Sequence, residues 1–294
     1  MNIYICSLLS KKNYKFLNSH LNSLNRLKIP GNYKFKMIFV ISPKFYIARN
    51  LLKKFLNKMD YLILESVRDN IPDSRNVFLK FIKNKDFQYA GFLDDDCLVD
   101  INWLFNMIKF INQNDCDIVG GPQKHKVKND IFTDYYNCLE PDRPHGKSVK
   151  WIATNNCFFS KKIFRKAKVF FDSKLARVGG SDQLFFRELS KKKFIIKWNK
   201  KSFITENFSH EREKRSWFLR RNLRYGYSGN IIDKEIYGKI SIIMILLKLV
   251  YLVSNAFLLI IIPSRKNYIK ALFLLLKASG RLIGLLNYKP KKYI

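Results

Sequence analysis

The feature that most constrains this chain is an alternation of short apolar runs with longer amphipathic ones over residues 3–93. Ile3–Leu8, Lys36–Ile41, Tyr61–Glu65 and Tyr89–Leu93 are brief and rich in aliphatic and aromatic residues, as buried strands are. Between them, Tyr14–Leu27 and Ala48–Met59 carry apolar residues at helical spacing. Phe16, Leu17, Leu21, Leu24 and Leu27 share one side of the first. Pro72 opens a third helical stretch through Phe78 and Phe81. This alternation predicts an α/β fold with a mostly parallel sheet flanked by helices. Ligands of such sheets bind beyond the carboxyl ends of the strands, and the fourth strand ends on Asp94, Asp95 and Asp96.

The middle of the chain, from about Asp100 to Ser209, reads as the second half of the same domain. Ile118–Val119 and Trp151–Ile152 are short strand candidates, Ser160–Phe164 opens a helix, and Gly179-Gly180 is a turn before a helix that begins at Asp182. Low counts of Gly (12) and Pro (8) argue against a sandwich or barrel of many tight turns. Met1–Ser10 is too short and too soon followed by Lys11, Lys12 and Asn13 to be a secretory signal, and it reads as the first strand.

The last part changes character. Ile240–Ile262 has Lys248 as its only charge and ends at Pro263; Tyr268–Leu286 is a second, amphipathic apolar segment containing Lys270, Lys277 and Arg281. The first is long enough to span a bilayer. Arg265 and Lys266 fall in the connection, and short basic loops resist translocation. The expectation is a membrane-associated hairpin over residues 231–294, monotopic or re-entrant rather than fully spanning. Burial of both helices in a soluble core is the alternative.

The formal charge of +32, from 55 Lys and Arg against 23 Asp and Glu, is spread along the chain. That pattern fits a lysine-rich surface with attraction to an anionic membrane face. A nucleic-acid binder would concentrate the charge in a stripe or folded motif, so no nucleic-acid partner is expected. Cys6, Cys97, Cys116, Cys138 and Cys157 are widely spaced without a CxxC pair, which suggests reduced thiols in the cytosol and no zinc site. P-loop, G-x-G-x-x-G and G-x-S-x-G signatures are absent.

Three adjacent carboxylates repel one another unless something neutralises them. At a strand end they make a place for a divalent cation with oxygen ligands, Mg²⁺ or Mn²⁺, which could bridge to a diphosphate. A solvated acidic turn or a helix cap is the plainer alternative.

Phe92-Leu93-Asp94-Asp95-Asp96-Cys97 resembles the DxD motif of the family 2 glycosyltransferases, in the three-aspartate variant of the ExoM-like succinoglycan glucosyltransferases. Further segments resemble that family in order: Asn70-Ile71-Pro72-Asp73-Ser74-Arg75-Asn76, Asp117-Ile118-Val119-Gly120-Gly121-Pro122, Thr154-Asn155-Asn156-Cys157-Phe158-Phe159, Phe171-Asp172 with Gly179-Gly180-Ser181-Asp182, and His210, Trp217, Arg220, Arg221, Arg224 and Gly226. The resemblance covers residues 1–230. It implies a GT-A, Rossmann-like catalytic domain over that range.

The same resemblance implies roles. Asp94 contacts the nucleotide sugar, and Ser7, Arg75 and Asp95 belong to the donor site, with Arg75 on donor phosphate, a task suited to a guanidinium. Asp96, with His210 as a further candidate, binds Mn²⁺ or Mg²⁺. Asp182 is the general base of an inverting transfer. Arg220, Arg221 and Arg224 face the diphosphate or a lipid-phosphate acceptor; a solvated helix face is the alternative for them, and an ordinary helix cap for Asp182. The family usually carries Asp at the end of the second strand, whereas this chain reads Ile41-Ser42-Pro43. The expected activity moves a sugar, from a UDP-sugar by preference, to a saccharide or lipid-linked acceptor. The expected setting is surface-polysaccharide or envelope-glycan synthesis at the cytoplasmic face of the cell membrane. The rival is a membrane-attached basic binding protein with a degenerate site.

Overall fold

A computed structural model describes residues 1–43, 45, 48–55, 59–126, 143–166 and 170–286. Cys138 lies outside the described residues. The chain divides into two compact units.

The first unit comprises Met1–Lys126 with residues 143–173 and Phe185–Asn207. It is built on a seven-stranded sheet of order β3-β2-β1-β4-β8-β6-β9. β1 (Asn2–Leu9), β2 (Lys34–Ile41), β3 (Tyr61–Glu65) and β4 (Tyr89–Leu93) run parallel. β8 (Asn156–Ser160) runs antiparallel to both β4 and β6 (Ile118–Gly120), and β9 (Ile196–Trp198) is parallel to β6. A second sheet joins β5 (Cys97–Val99), β10 (Ile204–Asn207) and β7 (Gln123–Lys126) in the order β5-β10-β7.

Side chains alternate across a strand, and β2 shows the consequence. Met37, Phe39 and Ile41 enter one core with residues of α1 (Tyr14–Leu24) and α4 (Trp103–Gln113). Ile38 and Val40 enter the other, with Phe78, Leu79 and Ile82 of α3 (Ile71–Lys83) and Phe185, Phe186 and Leu189 of α6 (Ser181–Lys191). The sheet is therefore covered on both faces, which is why its strands read as nearly continuous apolar runs. α2 (Ala48–Phe55) buries Ala48 and Leu52 in the first core. α3 starts where Pro72 allows, and the Asn70 side chain accepts from the Asp73 amide at 2.9 Å as its cap.

The sequence-based expectations need correction in the middle of the chain. Trp151–Ile152 is not a strand; the strand is β8, and Ser160 ends it, while the short helix α5 begins at Ile163 (Ile163–Lys166). β8 is buried on both faces and carries no alternation to reveal it. α1 stops at Leu24, not Leu27.

The second unit includes Lys174–Leu184 and residues 208–286. α7 (Arg215–Tyr237), α8 (Ser241–Ile261) and α9 (Arg265–Leu285) form it, so Arg265 and Lys266 open a helix instead of lying in the connection. α7 and α9 cross at glycines: a Cβ on Gly226 would sit 2.0 Å from the Lys277 carbonyl oxygen, and one on Gly280 1.9 Å from that of Leu223. Only glycine permits backbones this close. Asp233, fully buried, holds both neighbouring helices through Lys248 at 2.6 Å and Arg281 at 3.0 Å. A buried carboxylate of this kind needs both partners to offset its desolvation. α8 buries only Ile245 and Ala256; Ile243, Leu247, Val250, Tyr251 and Ile261 are exposed. The helical run Arg215–Ile261 contains a segment apolar enough, and is long enough, to cross a membrane.

Asn156 is the hydrogen-bonding knot of the first unit. Its Oδ1 accepts from Trp103 Nε1 at 2.8 Å, and its Nδ2 donates to the carbonyls of Pro122 at 3.0 Å and Ser202 at 2.8 Å. Truncation would take these partners from Trp103 Nε1 and the Ser202 carbonyl, both buried, while the Pro122 carbonyl keeps the Ile204 amide at 3.1 Å. We expect Asn156→Ala to lower unfolding stability by about 3 kcal/mol, read as the shift of the urea midpoint. A change under about 0.5 kcal/mol would contradict it.

Candidate active site

Asp94, Asp95 and Asp96 form the turn between β4 and β5, closed by the Cys97 amide on the Asp94 carbonyl at 3.1 Å. The three carboxylates have different environments. Asp94 is 37% exposed, with its Oδ1 3.8 Å from a terminal nitrogen of Arg75. Asp95 is buried and turned toward the β1–α1 segment: it accepts from the Ser10 amide at 2.8 Å and from Asn13 Nδ2 at 2.5 Å. Burial pushes its carboxyl up to about 7, against the pull of those donors and with a further push from Asp94. Asp96 is also buried; Cys97 Sγ lies 3.6 Å from its Oδ1, and its carbonyl accepts from the Asn207 amide at 2.9 Å.

Arg75 comes from α3 and is 7% exposed. Its guanidinium carbon lies 5.3 Å from the Phe171 ring centroid. Its Nε has no hydrogen-bond partner among the described residues. A buried guanidinium with an unused donor, beside a carboxylate at a strand end, is a place for an anion. The charge concentration also registers on the neighbouring thiols. Burial, then Asp96, Glu206 and Asp94, holds Cys97 well above the usual thiol range; burial raises Cys6 as well, opposed by Arg75.

Ser7, expected at the donor, is fully buried with its hydroxyl engaged to His20 Nε2 at 3.0 Å. The end of β2, which lacks a carboxylate of its own, receives one from the segment after β3: Ser42 Oγ donates to Asp69 Oδ1 at 2.9 Å. Glu206 of β10 stands opposite Cys97 in register, with its Oε2 3.5 Å from Nδ1 of His125 on β7. Sequence reasoning missed His20, Asn13, Asp69, Glu206 and His125. None belongs to a recognisable local pattern, and the pairing of β10 with β5 and β7 is what assembles the last two.

In the second unit, Gly179 and Gly180 both take positive φ (75° and 89°), the conformation glycine adopts without strain, and lead into the first turn of α6 with Asp182. Asp182 Oδ1 accepts from the Gln183 amide at 2.8 Å. α7 lines this turn. The Arg224 guanidinium lies against Gly179, and Ser228 and Ile232 lie against Gly180. Arg221 stacks on Trp217 at 4.7 Å and bonds the Tyr225 hydroxyl at 2.5 Å. Arg220 is exposed. His210 has an 86% exposed side chain 3.6 Å from Glu213.

Asp94 and Asp96 offer the hard oxygen donors that Mg²⁺ or Mn²⁺ take. Among the described residues no group of three or more His, Cys, Asp or Glu side chains is gathered to cage an ion. A cation shared between one or two carboxylates and substrate phosphates needs no such cage, so the donor set fits.

Residues 11–192, more than half of the chain, match the family model of glycosyl transferase family 2. The chain belongs to that family and is a glycosyltransferase of the nucleotide-sugar-using class. No curated protein is significantly similar to it in sequence. Among solved structures it is similar to S. aureus TarS 1–349 in complex with UDP, with a TM-score of 0.56 at 12% identity over 100% of this chain and 94% of that one. TarS 1–349 in complex with UDP-GlcNAc gives 0.56 at 12% identity over 98% and 92%. The mannosyltransferase PcManGT from Pyrobaculum calidifontis, in complex with GDP-Man and Mn²⁺, gives 0.64 at 12% identity over 98% and 88%. At this identity the likeness is one of fold, and it makes the α/β unit GT-A-like.

His20 makes one pH-dependent contribution to the stability of the fold around this site, opposite in sign to that of the raised Asp95 carboxyl. Its ring is fully buried, and burial lowers it from 6.5 to about 4, despite its bond to the Cys97 carbonyl. Between those values the unfolded chain binds a proton that the folded chain does not. The contribution of His20 to stability is therefore lost as pH falls from 6.5 toward 4, by up to about 3 kcal/mol. We expect the stability advantage of wild type over His20→Asn, from urea midpoints, to shrink across that interval. A constant advantage from pH 7 to pH 4 would contradict it.

Proposed function

We propose that the chain is an inverting glycosyltransferase that moves a sugar from a nucleotide-diphosphate sugar to a saccharide or lipid-linked acceptor, in surface-polysaccharide or envelope-glycan synthesis. Within the family, the motif set favours a place near the ExoM-like succinoglycan glucosyltransferases. The observation that carries the reading is Arg75, buried beside Asp94 at the strand ends, its Nε without a hydrogen-bond partner among the described residues. Arg75 holds the donor diphosphate, and Asp94 contacts the nucleotide sugar. Asp95, through the Ser10 amide, and Ser7, through the His20 ring, serve the donor site from behind. Asp96 binds Mn²⁺ or Mg²⁺, and His210, with its exposed ring, is the further ligand or phosphate contact. When bound, the cation neutralises the diphosphate and makes it a better leaving group.

Asp182, in the first turn of α6, takes the proton from the acceptor hydroxyl. That oxygen forms its bond to the anomeric carbon from the face opposite the diphosphate, as the bond to the diphosphate oxygen breaks, so the configuration inverts. Arg224, against the Gly179 turn, together with Arg221 and Arg220, receives the phosphate of the donor or of a lipid-linked acceptor. The exposed apolar side chains of α8 support attachment to a membrane, and the reading places the enzyme on its cytoplasmic face. A UDP-sugar is the preferred donor; UDP-GlcNAc and GDP-Man, bound in the similar structures, are the first compounds to try.

Two substitutions separate the roles. Asp182→Asn should reduce transfer by about 1,000-fold or more while donor binding, read by calorimetry, stays within about threefold. Wild-type turnover in that variant would remove Asp182 from the base role. Asp96→Ala should weaken Mn²⁺-dependent donor binding by about tenfold or more and leave binding without metal unchanged. Donor binding by wild type without turnover on any acceptor would favour a binding protein instead.

A further inference from the structure

α1 grips the acidic turn from one side through a set of buried hydrogen bonds. His20, fully buried, lies with Nδ1 2.6 Å from the Cys97 carbonyl oxygen and Nε2 3.0 Å from Ser7 Oγ. A carbonyl can only accept, so Nδ1 carries the proton and donates, and Nε2 of the neutral ring accepts from the Ser7 hydroxyl. A single tautomer satisfies both contacts. Ser23, one turn further, accepts from the Val99 amide at 3.2 Å while donating to the His20 carbonyl at 2.7 Å. At the other end of the segment, the Ser10 amide and Asn13 Nδ2 hold the Asp95 carboxylate.

The groups held are therefore Asp95, Cys97 and Val99, every second residue of the turn and of β5. Asp94 and Asp96, the residues assigned to donor and metal, are the alternates. Displacing the Cys97 carbonyl would move the peptide unit that follows Cys97, one residue beyond Asp96. Errors of about 1 Å in such placements cost about 100-fold in rate, and partners behind a metal ligand carry about 10- to 100-fold in metal affinity.

We propose that His20 is a positioning residue for the transfer: by tying the end of β1 to the Cys97 carbonyl, it fixes the backbone from which Asp94 and Asp96 act. The proposal rests on the functional reading above. The two ring nitrogens can be tested apart. His20→Asn keeps a donor close to the Nδ1 position and loses the Ser7 contact. His20→Gln reaches toward the Nε2 position and loses the Cys97 contact. His20→Leu loses both.

The measurement is calorimetric binding of UDP with and without Mn²⁺, together with the Mn²⁺ concentration for half-maximal hydrolysis of a UDP-sugar, on full-length wild type and the three variants. Thermal melts are recorded on the same samples. The expected result is Mn²⁺-dependent UDP affinity weakened about tenfold or more in His20→Gln and His20→Leu. His20→Asn should stay within about threefold of wild type, and metal-free UDP affinity should be unchanged throughout. If His20→Leu does not fold, the comparison of Asn with Gln decides. Wild-type Mn²⁺ dependence in His20→Gln, or equal losses in Asn and Gln that follow their melting temperatures, would overturn the positioning role alone. Absence of any UDP binding by wild type would overturn this inference together with the functional reading.

Discussion

Three neighbouring carboxylates at the end of a buried strand are the constraint on which the rest of the first unit turns. Left in one environment they would repel. The fold gives each a different one: Asp94 part-exposed beside Arg75, Asp95 buried on the Ser10 amide and Asn13, Asp96 buried beside the Cys97 thiol. Neutralisation is thus divided among a guanidinium and backbone and amide donors, with Asp96 left, on the proposed function, for a divalent ion. α3 is capped and started so that Arg75 reaches the strand end, and α1 is laid down so that its polar residues meet the turn from the other side.

Much of the frame was legible because parallel strands covered on both faces are simple runs. β3 and β4 have the predicted ends, and β1 and β2 differ from prediction by one or two residues at their ends. What was not legible depends on pairing at a distance. β8 inserts between β4 and β6 and is apolar on both faces, so nothing distinguished it from loop or helix core. β5 and β10 are only three and four residues long, and the Glu206–His125 pair exists only because β10 lies between β5 and β7.

The site was legible to the extent that a family pattern could name its members. Arg75 and Asp94 were matched through separate motifs, and the fold brings them together. Ser7 was matched as a donor contact, yet its hydroxyl is directed to His20. A lone histidine on a mainly apolar helix face carries no signal in one sequence, and only the carbonyl of Cys97 and the hydroxyl of Ser7 reveal its use. The same holds for Asp69: the second strand lacks its expected acid, and a residue from after the next strand supplies one to Ser42.

The second unit follows a different physics. Its helices are joined by glycine crossings and by the buried Asp233 with Lys248 and Arg281, while α8 leaves an apolar surface outward. In the first unit, the strand ends are proposed to bind a nucleotide sugar with a divalent ion. Calorimetric titration of the full chain with a panel of UDP- and GDP-sugars, with and without Mn²⁺, tests it most directly. Saturable heat is expected for at least one sugar nucleotide, strengthened by Mn²⁺ and followed by slow metal-dependent hydrolysis. No heat with any member of the panel, in the presence of metal, would contradict it.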